Sequence, residues 1–94
     1  MKILHHITSS PTESNALACA LRFIKPDDTL LLAGNAVAAM LHPAWRDAVS
    51  NLHLCLMKTD VEARGLNSQL ATFRQIDYPE FVAQTLTHSK VITW

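Results

Sequence analysis

Glycine is scarce in this chain: Gly34 and Gly65 are the only two among 94 residues. Neither a GxGxxG dinucleotide fingerprint nor a P-loop can be built from them, and no GxSxG nucleophile elbow appears. Cysteine is equally rare. Cys19 and Cys55 lie 36 positions apart, which makes neither a CxxC redox pair nor a zinc set. The five histidines show no HxH or HxxxH spacing. No apolar run approaches the roughly 18 residues needed to cross a bilayer. Met1 to Ile7 is too short and too polar for a secretory h-region. Charge is low as well: 17% of residues are charged, against about a quarter in an average soluble domain. Eight basic and eight acidic side chains cancel, so there is no electrostatic footprint for nucleic acid or an anionic membrane.

What is present is apolar. Hydrophobic residues make up 49% of the chain, which reads as one globular domain over residues 1–94 that can bury a core without disulfides or metal. A small domain has much surface and few places to hide apolar groups. The low charge fraction therefore implies that a partner covers part of the surface; a moderately apolar monomer is the alternative. With reduced thiols and no secretory leader, the chain reads as cytoplasmic.

Element types alternate. Lys2 to Ile7 reads as a strand. Ser10 is placed as the N-cap of a helix over Thr12 to Ile24, with Pro11 in its first turn and Glu13 at capping-box spacing. Ala16, Leu17, Ala20, Leu21 and Ile24 mark one face of it. Thr29 to Ala33 is a continuous apolar run, the pattern of a strand buried on both faces in a parallel sheet. Ala36 to Leu41 is helix-forming, and Trp45 to Val49 adds a short turn after His42-Pro43. Leu52 to Met57 is a third strand, and Asp60 to Arg64 a helical turn closed by Gly65. Thr72 to Ile76 is a fourth strand. Asp77 caps a helix over Tyr78 to Thr87, whose Phe81, Val82 and Leu86 are expected to face inward. Val91 to Thr93 is a fifth strand running into Trp94, an end expected to be tied down. This order predicts an α/β fold: a mainly parallel five-stranded sheet with helices on both faces.

Few side chains point to chemistry. Cys19 falls about two turns into the first predicted helix, away from the N-terminus where thiolates are favoured. Cys55 lies mid-strand between Leu54 and Leu56 and reads as core. His5 and His6 are adjacent on a strand, so they face opposite ways and cannot share a metal. Ser9 and Ser10 read as capping groups, with an anion site as the alternative. Asp60 and Arg64 are four apart and can pair, either as a solvated pair or as a loop held in shape for a partner.

Taken in order and spacing, these stretches resemble the TusB/DsrH family of small sulfur-relay subunits. The resemblance rests on Leu4-His5 with Ser10-Pro11, Asp28 to Leu32 with Ala38-Ala39, and Asp60 with Ala63-Arg64-Gly65-Leu66. It continues through Ile76-Asp77-Tyr78 with Phe81-Val82 and closes on Thr93-Trp94, covering essentially the whole chain. It implies a DsrE-like α/β fold and a heterohexamer with TusC-like and TusD-like subunits, two copies of each. That complex would carry persulfide sulfur between a TusA-like donor and a TusE-like acceptor, towards 2-thiouridine at the tRNA wobble position. The main active cysteine would lie on the TusD-like subunit, leaving this chain structural, with Trp94, Asp60 and Arg64 as candidate partner contacts. No cofactor, metal, membrane or direct nucleic-acid contact is implied. Relatives of the DsrH type, from sulfur oxidation, carry a cysteine in the first helix. Cys19 matches that place only after a one-residue shift, about 100° of helix rotation. The alternative function is thus a thiol-active subunit with Cys19 carrying the persulfide. Gly34-Asn35 stands where many relatives have Asp-Gly.

Overall fold

Strand pairing in the computed structural model, which describes all 94 residues, is parallel throughout. The sheet has five strands: β1 (Ile3–Ile7), β2 (Thr29–Leu32), β3 (His53–Met57), β4 (Gln75–Ile76) and β5 (Lys90–Thr93), in the order β4-β3-β2-β1-β5. Between them come α1 (Ala16–Phe23), a 3₁₀ helix (Gly34–Leu41), α2 (Pro43–Ala48), α3 (Lys58–Ala63) and α4 (Tyr78–Thr87). No helix is long and apolar enough to cross a membrane.

Strand order decides which face each helix covers. From β1 to β4 the chain steps in one direction across the sheet, so right-handed crossovers put α1, the 3₁₀ helix, α2 and α3 on one face. The return from β4 to β5 runs the other way and puts α4 alone on the opposite face. The core divides accordingly. On the first face Ile7, Leu30, Leu32 and Leu56 of the sheet pack under Leu17, Ala20, Val37, Met40 and Val61. Each large aliphatic side chain fully buried there contributes about 1.5–3 kcal/mol. On the second face Leu4, Leu31, Cys55, Met57 and Ile76 are covered chiefly by Phe81 of α4.

The 3₁₀ helix shows why its sequence folds as it does. With three residues per turn, positions i and i+3 stack. Ala36 above Ala39 and Val37 above Met40 form two buried columns, while Asn35, Ala38 and Leu41 form the outer one. Capping of α4 agrees with the sequence. Asp77 accepts the Glu80 N–H at 2.9 Å, and Glu80 accepts the Asp77 N–H at 3.4 Å, a device worth about 1 kcal/mol.

Three expectations are corrected. The first helix starts at Ala16 rather than Thr12, because the polar residues before it bond among themselves. Glu13 takes the Ser10 N–H at 2.9 Å, and the Ser9 and Ser14 hydroxyls pair at 2.6 Å. Such local bonds compete with helix, and Ser10 closes an isolated turn instead of capping α1. The fourth strand is only Gln75–Ile76, since residues 66–73 turn inward to bury Leu70. Val82 and Leu86 do not face inward: they are 40% and 81% exposed, and only Phe81 reaches the sheet.

Both glycines have positive φ, +53° at Gly34 and +65° at Gly65. A Cβ at Gly34 would meet the Thr8 carbonyl oxygen at 3.0 Å, whereas at Gly65 nothing lies within 4 Å. Gly65→Ala should therefore cost only the left-handed backbone penalty, roughly 1 kcal/mol. Gly34→Ala should cost at least about twice that, because the clash is with backbone. Urea denaturation of the two variants measures the difference; equal losses would contradict it.

Candidate functional site

The two thiols have different surroundings. Cys55 is buried at the centre of β3. Burial, offset in part by the Arg74 charge and reinforced by that of Glu80, pushes its pKa up to about 11. It is held as an inert thiol at neutral pH. Cys19 is half-buried on α1, and its sulfur has no hydrogen-bond partner within the chain. Because α1 begins at Ala16, Cys19 closes the first helical turn rather than lying two turns in, and its N–H reaches the Asn15 carbonyl at 2.9 Å.

Asp60 and Arg64 come together at the carboxyl end of the sheet. Chain leaving β3 enters α3 at once, which brings Asp60 against the turn after β2. Its Oδ2 accepts the Gly34 N–H at 2.9 Å. Arg64 lies 3.7 Å from Asp60 Oδ1, donates to the Asp60 carbonyl at 3.1 Å, and donates to Asn35 Oδ1 at 2.7 Å. One guanidinium thus clamps α3 to the 3₁₀ helix. Glu13 stands at the same edge. The Ser10 N–H, then the Asn35 amide and the Ser10 hydroxyl, hold its carboxyl below the usual range, with a smaller contribution from Arg64. His6 faces the other side of β1, with its ring 5.7 Å from Phe81. Burial lowers its pKa and the Asp60 charge partly opposes this. The cluster has no nucleophile and no poised base beside one, so what it offers is a shaped, polar edge.

Trp94 is used inside the chain. Its backbone N–H extends the β1 pairing at 3.0 Å to the His6 carbonyl. Its indole N–H donates to His5 Nδ1 at 3.0 Å. An indole can only donate, so Nδ1 accepts and the ring proton sits on Nε2, which donates to Asp28 Oδ2 at 3.0 Å. Asp28 also accepts the Ile3 and Lys25 N–H groups, each at 3.0 Å. Burial raises the Asp28 pKa, but these hydrogen bonds, that of His5 foremost, leave it below the ordinary carboxylate value. On its outer side Trp94 stacks on Phe23, centroids 5.7 Å apart. The expected aromatic anchor is therefore mostly spent on fixing the last strand. No contact joins it to Asp60 and Arg64, and Cys19 belongs to neither group.

The feature that sequence reading missed is on α4. Tyr78, Val82 and Leu86, at i, i+4 and i+8, form an exposed apolar stripe. Val91 of β5, on the same face as Leu4 by register, is also exposed. The sequence carried the signal as a low charge fraction without its location. No group of three or more His, Cys, Asp or Glu side chains is placed to hold a metal ion.

A family model described as "DsrH like protein" matches residues 9–91. Among curated relatives, the chain is 34% identical over 96 aligned positions to Protein TusB of Cronobacter sakazakii (strain ATCC BAA-894), covering 98% of this chain and all of that protein. It is also 34% identical to Protein TusB of Buchnera aphidicola subsp. Acyrthosiphon pisum (strain 5A), again over 98% of this chain and all of the relative. Protein TusB of Escherichia coli O139:H28 is 28% identical with the same coverage. The chain belongs to the DsrH/TusB family.

The titrating groups set the direction of acid sensitivity. His6 has a lowered pKa in the fold, so stability falls as pH drops through the free imidazole value of about 6.5. Asp28 is likewise lowered, so its contribution is complete above the free carboxyl value of about 4 and is lost as pH falls through its lower native value. Urea midpoints measured from pH 8 to pH 3 should fall in two stages, and His6→Gln should remove the first. Asp28→Asn should cost about 3 kcal/mol at pH 7, because it places an amide against three donors. A loss below about 1 kcal/mol would contradict the buried network. Under native conditions iodoacetamide should label Cys19 and leave Cys55 unmodified; labelling of both at similar rates would show that Cys55 is not shielded as described.

Proposed function

We propose that this chain is the TusB-type subunit of a sulfur-relay assembly, in which it holds TusC-like and TusD-like partners and contributes no essential thiol. The carrying observation is the exposed stripe Tyr78, Val82 and Leu86 on the only helix covering its face of the sheet. Exposed apolar side chains in a row mark an interaction surface. The partner in this reading is an α/β subunit that adds the missing layer. The buried state of Cys55 supports a structural role. Asp60 and Arg64, each with about a third of its side chain exposed, and the outer edge of Phe23–Trp94 serve as further contacts.

In the fuller reading, the assembly is a cytoplasmic heterohexamer with two copies of each subunit. It passes persulfide sulfur from a TusA-like donor to a TusE-like acceptor for 2-thiolation of the tRNA wobble uridine. The whole of residues 1–94 acts as one DsrE-like domain. Eight acidic against eight basic side chains fit a subunit that does not itself touch tRNA.

A second reading has one observation in its favour. Cys19 closes the first turn of α1 and is partly accessible, closer to a helix N-terminus than its sequence position implied. In that reading it carries persulfide, as in a DsrH-type sulfur-oxidation complex. Cys19→Ser separates the two. The structural role predicts sulfur transfer within about twofold of the unmodified complex, whereas loss of transfer would establish the thiol role. Co-expression with the TusC-like and TusD-like chains, followed by light scattering, should give a mass of about six chains; a lone monomer would overturn the subunit reading.

A further inference from the structure

The face carrying α4 is apolar only in its upper half. Lower down, at the amino ends of the strands, lies a cleft of about 650 Å³ with no hydrophobic residue in its lining. Its position follows from register. Thr29 pairs with Leu4 on one side and His53 on the other, so all three point to the α4 face. Lys2 lies two residues before Leu4, and Arg74 two before the buried Ile76, so both point the same way. The last turn of α4, with Gln84 and Thr87, closes the cleft together with His88 just after the helix.

The floor is satisfied and fixed. A carbonyl can only accept, so His88 Nδ1–H donates to the Gln84 carbonyl at 2.6 Å. Its Nε2 then accepts the Thr29 hydroxyl at 2.8 Å. The walls are not satisfied. The side chains of Lys2, His53, Arg74 and Gln84 make no hydrogen bond or ion pair within the chain. Two full cations and two further polar groups thus converge on one space whose lining holds a single carboxylate, Asp27. A site for an apolar small molecule would be lined mainly by hydrophobic side chains, and here there are none. What such a lining can recognise is a hydrated anion that accepts several N–H donors.

We propose that this cleft binds an oxyanion group, carboxylate or phosphate, carried on a hydrophilic ligand. Arg74 and Lys2 supply the charge, and Gln84 and His53 supply directional contacts. Asp27 limits affinity. The site lies at the opposite end of the sheet from the Asp60–Arg64 clamp, and it stands whether or not the subunit reading holds.

Amide chemical shifts of the full chain, titrated with inorganic phosphate and separately with a capped tri-glutamate peptide at low salt, test this. At least one probe should shift Thr29, His53, Arg74, Gln84 and His88 saturably, and the stronger of the two identifies the group. Arg74→Gln should weaken binding about threefold, the size of an exposed charge contact, and Asp27→Asn should strengthen it. These side chains have no partner inside the chain, so both variants should keep the unmodified melting temperature. Arg22→Gln, on α1, should leave affinity unchanged. Absence of saturation with both probes, or binding equally weakened by Arg22→Gln and Arg74→Gln, would overturn the proposal.

Discussion

Parallel strands can be joined only by crossovers, and crossovers are right-handed. In this chain that constraint acts four times, three times in one direction along the sheet and once in reverse. Three steps place four helical segments on one face; the single return places only α4 on the other. A sheet of this kind needs both faces covered. The ten residues of α4 are too few to cover five strands, and Phe81 is the one side chain of α4 that packs against the second core. The apolar stripe outside α4 and the polar cleft beneath its last turn both follow from this imbalance. Uneven layering is thus the feature from which both proposed binding surfaces arise.

The sheet's edge strand depends on a second arrangement. Parallel β5 pairs with β1, but it has a neighbour on only one side. The chain of hydrogen bonds from Asp28 through His5 to Trp94 supplies what is missing. The direction of each bond is fixed: indole only donates, the carboxylate only accepts, and His5 accepts at Nδ1 and donates from Nε2. Asp28 at the amino end of β2 is thereby linked through the middle of β1 to the residue after β5. Burying an ionised carboxylate is costly unless it is well bonded, and this one accepts three N–H donors.

Much of the fold was legible in the sequence because local physics and tertiary packing agree there. Thr29 to Ala33 is apolar without alternation because both faces of β2 are buried. Asp77 caps α4 as its residue type and position predict, and the structure adds Glu80 as the second half of a capping box. Legibility failed where side chains had two options. Ser10 and Glu13 have capping-box spacing too, but close a separate turn. Val82 and Leu86 have the residue types of an inward face, and no local rule reveals that the layer below them is too small to hold them. The site was less legible than the fold. Asp60 and Arg64 are paired by their spacing, yet Asn35, their link to the 3₁₀ helix, lies 29 residues from Arg64 in sequence. His5 and Trp94 are further apart still, and only the strand order brings them together.

The proposed role stands or falls on whether partners cover the α4 face. Amide hydrogen exchange of this chain, alone and after assembly with TusC-like and TusD-like subunits, tests it most directly. New protection should concentrate in Tyr78 to Thr87 and along β5. Protection confined to α1 and α2, with α4 exchanging as in the free chain, would contradict it.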